Sequence, residues 1–265
     1  MKTVLFPLLH LKLHINRVAF SVPGKDVYLY GLILCMAFII GLIICLRLIR
    51  NINIKEDDFL DLVIVIVPAG IIGARLYYVL FKIDYYIKNP LDIIKTWNGG
   101  LAIYGGIIGA ALALIFFCRI KNIEILEVLD VIVIGLIIGQ AIGRWGNFFN
   151  VEAYGYETNV PWRMDIYSNT LNKYIGVHPT FLYESIGNFI IFFILYKSFK
   201  SRKFHGFIAS LYLILYGILR FFIEGLRADS LYFLNIKISQ AVSLIFVIIG
   251  FLYIYLDKYR QKRLK

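Results

Sequence analysis

Apolar residues run along this chain in blocks longer than a soluble core requires. Residues 27–46, 101–118 and 238–256 contain no charged side chain, and each is close to the roughly 20 residues that a helix needs to cross about 30 Å of hydrocarbon. Four further blocks are interrupted by charge: 62–81 by Arg75, 128–149 by Asp130 and Arg144, 181–196 by Glu184, and 206–224 by Arg220 and Glu224. The pattern predicts an all-α integral membrane protein of about seven transmembrane helices with an outer-face loop or head region. The longest interval between blocks, about 150–177, contains Tyr156, Asn159, Pro161, Trp162 and Asn172. It reads as an outer loop, and loops of that length are uncommon unless they serve a function. The expected division is an N-terminal extension and outer-face segment (1–26), a seven-helix domain (27–256) and a basic tail (257–265).

Small residues indicate how the helices meet. Gly135, Gly139 and Gly143 recur every four residues on one face, the spacing that lets helix backbones approach closely in a bilayer. Gly105 and Gly109 repeat it. The glycines of NGGLAIYGG, at 99, 100, 105 and 106, are denser than packing needs. They are expected to let a lipid headgroup or an irregular backbone approach Tyr104.

Composition agrees with the pattern, with 60% hydrophobic, 16% aromatic and only 17% charged residues. The net charge of +11 does not signal nucleic acid, because the basic residues lie at helix ends rather than in one aromatic-laced patch. Their clusters at 197–203 and 258–265 place the C-terminus in the cytoplasm and, with seven spans, the N-terminus outside. The opening MKTVLFPLLHLKLHINR is interrupted by Pro7, His10, Lys12 and His14 and reads as an uncleaved extension. Cys35, Cys45 and Cys118 all fall in apolar helix, and no Cys/His cluster points to a metal or other cofactor.

The chemistry concentrates in GRWGNFFNVEAYG, residues 143–155. A charge at membrane depth is costly, about 2.5–3.5 kcal/mol on insertion scales, so Arg144 is a functional-site candidate by default. Tyr216, Arg220 and Glu224 stand four residues apart and share a helical face. Two guanidiniums with one nearby carboxylate leave positive charge for an anion, and the arginine fork fits phosphate. A bilayer supplies that anion as phospholipid. His178, before Pro179, has a helix-capping and a proton-transfer reading. Tyr30 reads as interface belt or binding residue, and Arg75 and Asp130 as partners or as snorkelling and interfacial charges. A secondary transporter would line a path with Arg75, Asp130, Arg144, Glu184, Arg220 and Glu224, but the internal repeats usual in transporters are not visible. A non-catalytic lipid-binding protein is the third reading.

These residues resemble a known family. GRWGNFFNVEAYG matches every fixed position of the signature of the bacterial prolipoprotein diacylglyceryl transferases. The likeness continues through Tyr30-Gly31, GARLYYVLF (73–81), WNGGLAIYGGIIGA (97–110), HPTFLYES (178–185) and YGILRFFIEGLRAD (216–229). The resemblance implies transfer of the diacylglyceryl group of phosphatidylglycerol to the lipobox cysteine of a prolipoprotein signal peptide. A thioether forms and glycerol 1-phosphate leaves, at the bacterial inner membrane. It further implies that Arg144 binds phosphatidylglycerol with Asn147, Asn150, Glu152, Gly155, Tyr30 and Tyr216, and that Arg220 is a second essential arginine beside Glu224. Many family members carry a histidine, proposed as the base, where this chain has Tyr104. A phenol of pKa about 10 is a poor base at neutral pH, so a base role does not carry over to Tyr104, and His178 is the remaining candidate. Phe181 replaces the usual glutamine.

Overall fold

The computed structural model describes residues 2–168 and 170–263. In chain order the elements are β1 (Lys2–Phe6), β2 (Leu11–Ile15), β3 (Val18–Val22), β4 (Lys25–Tyr28), α1 (Leu29–Ile49), α2 (Glu56–Phe81), α3 (Ile83–Lys88), α4 (Ile103–Lys121) and α5 (Ile125–Asn150). There follow β5 (Met164–Ser168), β6 (Lys173–Val177), α6 (Thr180–Phe199), α7 (Phe207–Leu226), β7 (Tyr232–Phe233), β8 (Ile236–Lys237) and α8 (Ile238–Arg263). Short 3-10 turns at Pro90–Ile94 and Thr96–Asn98 lie between α3 and α4. The chain divides into two compact units, residues 46–128 and the remainder.

The long helices α1, α2 and α4–α8 coincide with the seven expected spans. Six of them are long and apolar enough to cross a membrane on length and composition alone. The seventh, α6, is less apolar because Glu184, Ser185 and Asn188 occupy its first half. Contacts that bracket it nevertheless give it the reach of its neighbours. Near one end, Arg144 of α5 meets Glu184 of α6, which meets Arg220 of α7. At the other, Asp130 near the start of α5 accepts hydrogen bonds from the backbone N–H groups of Gly206 and Ala209 at the start of α7, both at 2.9 Å. Helices α5 and α7 therefore run parallel, with α6 returning antiparallel beside them.

The glycine stripe does what its spacing predicts. A β-carbon on Gly135 would lie 2.9 Å from Gly41 O of α1, and one on Gly143 would lie 3.4 Å from Leu34 Cδ2. With that approach, van der Waals contact replaces the hydrophobic drive that lipid removes. On α8, Gly250 presses against Ser210 O of α7, at 2.7 Å for the same hypothetical atom. Within residues 46–128, Gly105 and Gly109 of α4 meet Gly73 and Ala69 of α2 with no room for a methyl group.

In this second unit, the irregular backbone of the double-glycine segment surrounds Arg75. Gly99 and Gly100 have φ of 84° and 79°, the region glycine enters without penalty. Their carbonyls accept from Arg75 Nη1 at 2.6 and 2.9 Å, while Ile93 O and Asp92 O accept from Nε and Nη2. Arg75 is therefore satisfied by carbonyls of its own unit, and Asp130 by the start of α7. Of the alternatives open for these two charges, each is thus accounted for by backbone groups.

The head region, expected only as loop, is built of strands. β2-β1-β5-β6 form an antiparallel sheet in that order, with Val4 opposite Leu13 on one side and Ile166 on the other. Val4, Ile15, Met164, Ile166 and Val177 point to one face and form a core with Phe148 and Phe181. This explains Phe181: its ring stacks on Phe148 at 4.8 Å and meets Trp145 edge-on at 5.5 Å, seating the sheet on the ends of α5 and α6. No strand was expected in the first 26 residues, although β1–β2 and β3–β4 pair locally; only β5, on the other side of β1, lies some 160 residues away.

Candidate active site

The end of α5 carries the signature on a terminus held from several directions. Val151 and Ala153 adopt φ of 51° and 56°, an uncommon conformation and for β-branched valine a real outlier, of the kind that clusters at functional sites. Thr180 Oγ1 donates to Ala153 O at 2.6 Å, and the Gly155 N–H donates to His178 O at 2.9 Å. A β-carbon on Gly155 would lie 2.7 Å from both His178 Cβ and Leu226 O, so this position admits only glycine without rearrangement. Gly146 is constrained likewise: its β-carbon would lie 2.5 Å from Cδ2 of Tyr30 in α1.

Above this scaffold, four polar side chains of the signature form one hydrogen-bonded chain. Asn147 accepts from Arg144 Nη1 at 3.3 Å and donates to Glu152 at 3.0 Å, and Asn150 donates to the same Glu152 oxygen at 3.2 Å. An amide has an acceptor and donors on one short stem, which suits it to bridge a guanidinium to a carboxylate. The Asn150 carbonyl, left over at the helix end, accepts from Arg17 Nη2 at 2.6 Å.

The charged centre lies between α5, α6 and α7. Glu184, 1% exposed, receives Arg144 Nη2 on one oxygen at 2.5 Å and Arg220 Nη1 on the other at 2.9 Å. Arg220 also pairs with Glu224 at 2.6 Å. The Tyr216 hydroxyl faces the charges of Glu184, Arg220 and Arg144. Two guanidiniums are thus matched by two carboxylates. The expected surplus of positive charge is corrected, because Glu184, which the sequence showed as a charge interrupting its span but not as part of this site, is the residue that joins the arginines. Beyond Glu224, Arg227 grips Asp229 through two hydrogen bonds of 3.0 and 2.8 Å. Burial opposes ionisation of Asp229, but the Arg227 fork outweighs it and holds the carboxyl below its usual value.

Of the remaining candidates, His178 does not cap α6 with its side chain; the cap position is Pro179. Its Nδ1 lies 3.3 Å from the Tyr183 hydroxyl, which accepts from Trp162 Nε1 at 2.8 Å. Tyr104 stands in the first turn of α4, partly exposed, in the unit of residues 46–128. The network therefore unites Arg144, Asn147, Asn150, Glu152, Tyr216, Arg220 and Glu224 and adds Glu184. Arg227 and Asp229 fall within the YGILRFFIEGLRAD stretch but lie beyond the helical spacing that singled out Arg220 and Glu224. Of the charges a transporter path would need, Asp130 is engaged at the start of α7, apart from the arginine centre.

The sequence matches a family model described as Prolipoprotein diacylglyceryl transferase over residues 17–256. It is similar to the phosphatidylglycerol–prolipoprotein diacylglyceryl transferase of Finegoldia magna, with 49% identity over 89% of this chain and 93% of the relative. The proteins of the same name from Clostridioides difficile and Thermotoga maritima are 44% and 43% identical. These alignments cover 92% and 89% of this chain and 96% and 83% of the relatives.

Proposed function

This chain belongs to the prolipoprotein diacylglyceryl transferase family, and we propose that it moves the diacylglyceryl group of phosphatidylglycerol onto the lipobox cysteine of a lipoprotein precursor. In that reaction the thiol sulfur forms a bond to the glycerol carbon that bears the phosphate. The carbon–oxygen bond to the phosphate breaks, its electron pair stays on the phosphate oxygen, and the thiol proton is released. A phosphodiester with one negative charge becomes glycerol 1-phosphate, a monoester that gains a second. Groups that respond to this added charge stabilise the transition state more than the substrate.

The observation that carries the reading is Glu184 holding Arg144 and Arg220 on its two oxygens. Two guanidiniums on different helices are thereby aimed at one locus, each with further N–H donors for phosphate oxygens. In this reading Asn147, Asn150, Glu152 and Gly155 hold Arg144 from the signature side, Tyr30 and Tyr216 contribute to phosphatidylglycerol binding, and Glu224 steadies Arg220. Free cysteine has a pKa near 8.5, so at neutral pH most of it is thiol and the transfer needs an acceptor for its proton. His178, hydrogen-bonded to Tyr183, is the candidate acceptor of the thiol proton. Tyr104 serves as a hydrogen-bond donor to substrate rather than as a base. The protein sits in the bacterial inner membrane, supported by its positive clusters at 197–203 and 258–265, with the N-terminus outside and the C-terminus in the cytoplasm.

The test is to incubate the purified protein with phosphatidylglycerol vesicles and a lipobox peptide and to follow thioether formation by mass spectrometry. Folded protein that yields no thioether, beside a positive control, overturns the reading. Arg144→Ala removes one charge-assisted phosphate contact, about 1.5–3 kcal/mol, and is expected to lower turnover at least about tenfold.

A further inference from the structure

One helical turn inward of the arginine centre, each of the three helices carries a second polar residue. Gln140 precedes Arg144 on α5, Asn188 follows Glu184 on α6, and Tyr216 precedes Arg220 on α7, each offset by four positions. Four residues are about 6 Å along a helix axis and return to the same face, so a second polar layer underlies the first. In that layer Gln140 and the Tyr212 hydroxyl are 3.1 Å apart, and Tyr212 stacks on Tyr216 at 5.3 Å.

Asn188 is the exception. Its side chain is 0% exposed, yet neither Nδ2 nor Oδ1 has a hydrogen-bond partner in the protein. The adjacent Ser185 hydroxyl is satisfied by Ala141 O at 2.8 Å, so this stretch of α6 is tightly registered against α5. An unsatisfied buried amide is unfavourable and more so where lipid surrounds the bundle. A leucine would fill the same space without that penalty. Residues that break a local rule in this way concentrate at functional sites.

We propose that Asn188 is a positioning residue that holds a buried water against the Glu184 carboxylate and so fixes how Glu184 presents Arg144 and Arg220. Side chains four apart on a helix have β-carbons about 5–6 Å apart, and a buried water needs two to four polar partners. The two polar atoms of the Asn188 amide and the Glu184 carboxylate supply them. The inference rests on the proposed transfer reaction, because it assigns Asn188 a part in the presentation of the two arginines. Asn188 touches no substrate in it.

The test compares Asn188→Thr with Asn188→Val, two side chains of nearly the same shape of which only threonine can hold the water. Thioether formation by the wild type decides the reaction; the ratio between the two variants decides the role of Asn188. Threonine is expected to keep most of kcat and valine to lose about tenfold, the worth of one hydrogen bond to a charged group, with KM for phosphatidylglycerol little changed. The valine protein is expected to melt no lower than the threonine protein. Equal kcat in the two variants overturns the proposal. So does a valine variant that is both slower and less stable, since the polar group then serves folding. If neither variant folds, a water-resolving density map of the wild type decides. A peak bonded to both Asn188 and Glu184 supports the proposal, and an Asn188 amide bonded only to protein groups overturns it.

Discussion

Glu184→Gln isolates the joint between the arginines with little change of shape. The wild-type carboxylate takes Arg144 at 2.5 Å and Arg220 at 2.9 Å. Glutamine keeps one acceptor oxygen but turns an NH2 group, which has only donors, toward the other guanidinium. Each charge-assisted hydrogen bond is worth about 1.5–3 kcal/mol. The two arginine side chains are 22% and 15% exposed, so water replaces part of what is lost and the lower end applies. Arg220 also keeps Glu224 at 2.6 Å. A loss of about 2 kcal/mol in transition-state stabilisation corresponds to about a 30-fold fall in kcat/KM. The assay is the initial rate of thioether formation at several phosphatidylglycerol concentrations, normalised to the folded fraction. Substitution raises the charge of the Arg144–Arg220–Glu184–Glu224 quartet by one, so ground-state affinity for the phosphodiester is expected to hold or rise while kcat falls. A variant with wild-type kcat and a lower KM would refute the reasoning, because the arginines would then need no carboxylate to place them.

Tyr104→Phe is expected to slow transfer by less than about tenfold, the cost of one neutral hydrogen bond, and to leave the shape of the pH–rate profile intact; loss of a limb of that profile would make the phenol a proton carrier. Asp130→Ala removes the cap of α7, whose two bonds together are worth about 2 kcal/mol. The melting temperature should fall while turnover per folded molecule stays the same, and an unchanged melting temperature counts against the cap. The Asp229 carboxyl, held low by Arg227 against its burial, contributes stability that is present above the ordinary carboxyl pKa and is lost as pH falls through its depressed native value. The difference in melting temperature between wild type and Asp229→Asn should therefore shrink as the medium is acidified below about pH 4, and a difference constant across that range would refute the pairing.

What the sequence discloses here is what depends on near neighbours. The seven long helices follow from apolar run lengths. The Gly135, Gly139 and Gly143 stripe follows from a four-residue period, and the Arg220–Glu224 pair from one helical turn. What it conceals depends on distant partners. β1 reads as an apolar run because its mates are β2 and, across most of the chain, β5. Glu184 reads as a lone charge because its arginines are 40 positions before and 36 after it. Phe181 reads as a departure from the family because nothing local reveals Phe148 beneath it. Arg75, read as snorkelling or paired with a carboxylate, is instead satisfied by five backbone carbonyls.

The neutrality of the quartet bears on catalysis as well as on folding. Unpaired arginines at membrane depth would be costly to insert, and Glu184 and Glu224 remove that cost in the resting protein. An unneutralised pair would also bind the phosphodiester and the glycerol 1-phosphate product tightly and without discrimination, which lowers KM without raising kcat and slows release. In the observed arrangement Glu184 engages one of the five N–H donors on Arg220, with Glu224 paired to it by charge, while Glu184 and Asn147 engage two on Arg144. A phosphate that enters competes with carboxylates already in place. With one charge it gains little over them, and with the second charge, acquired as the carbon–oxygen bond breaks, it draws the arginine donors more strongly. In the proposed reaction, carboxylates in the site would make the arginines answer to the change in phosphate charge rather than to its presence, and that difference would lower the barrier.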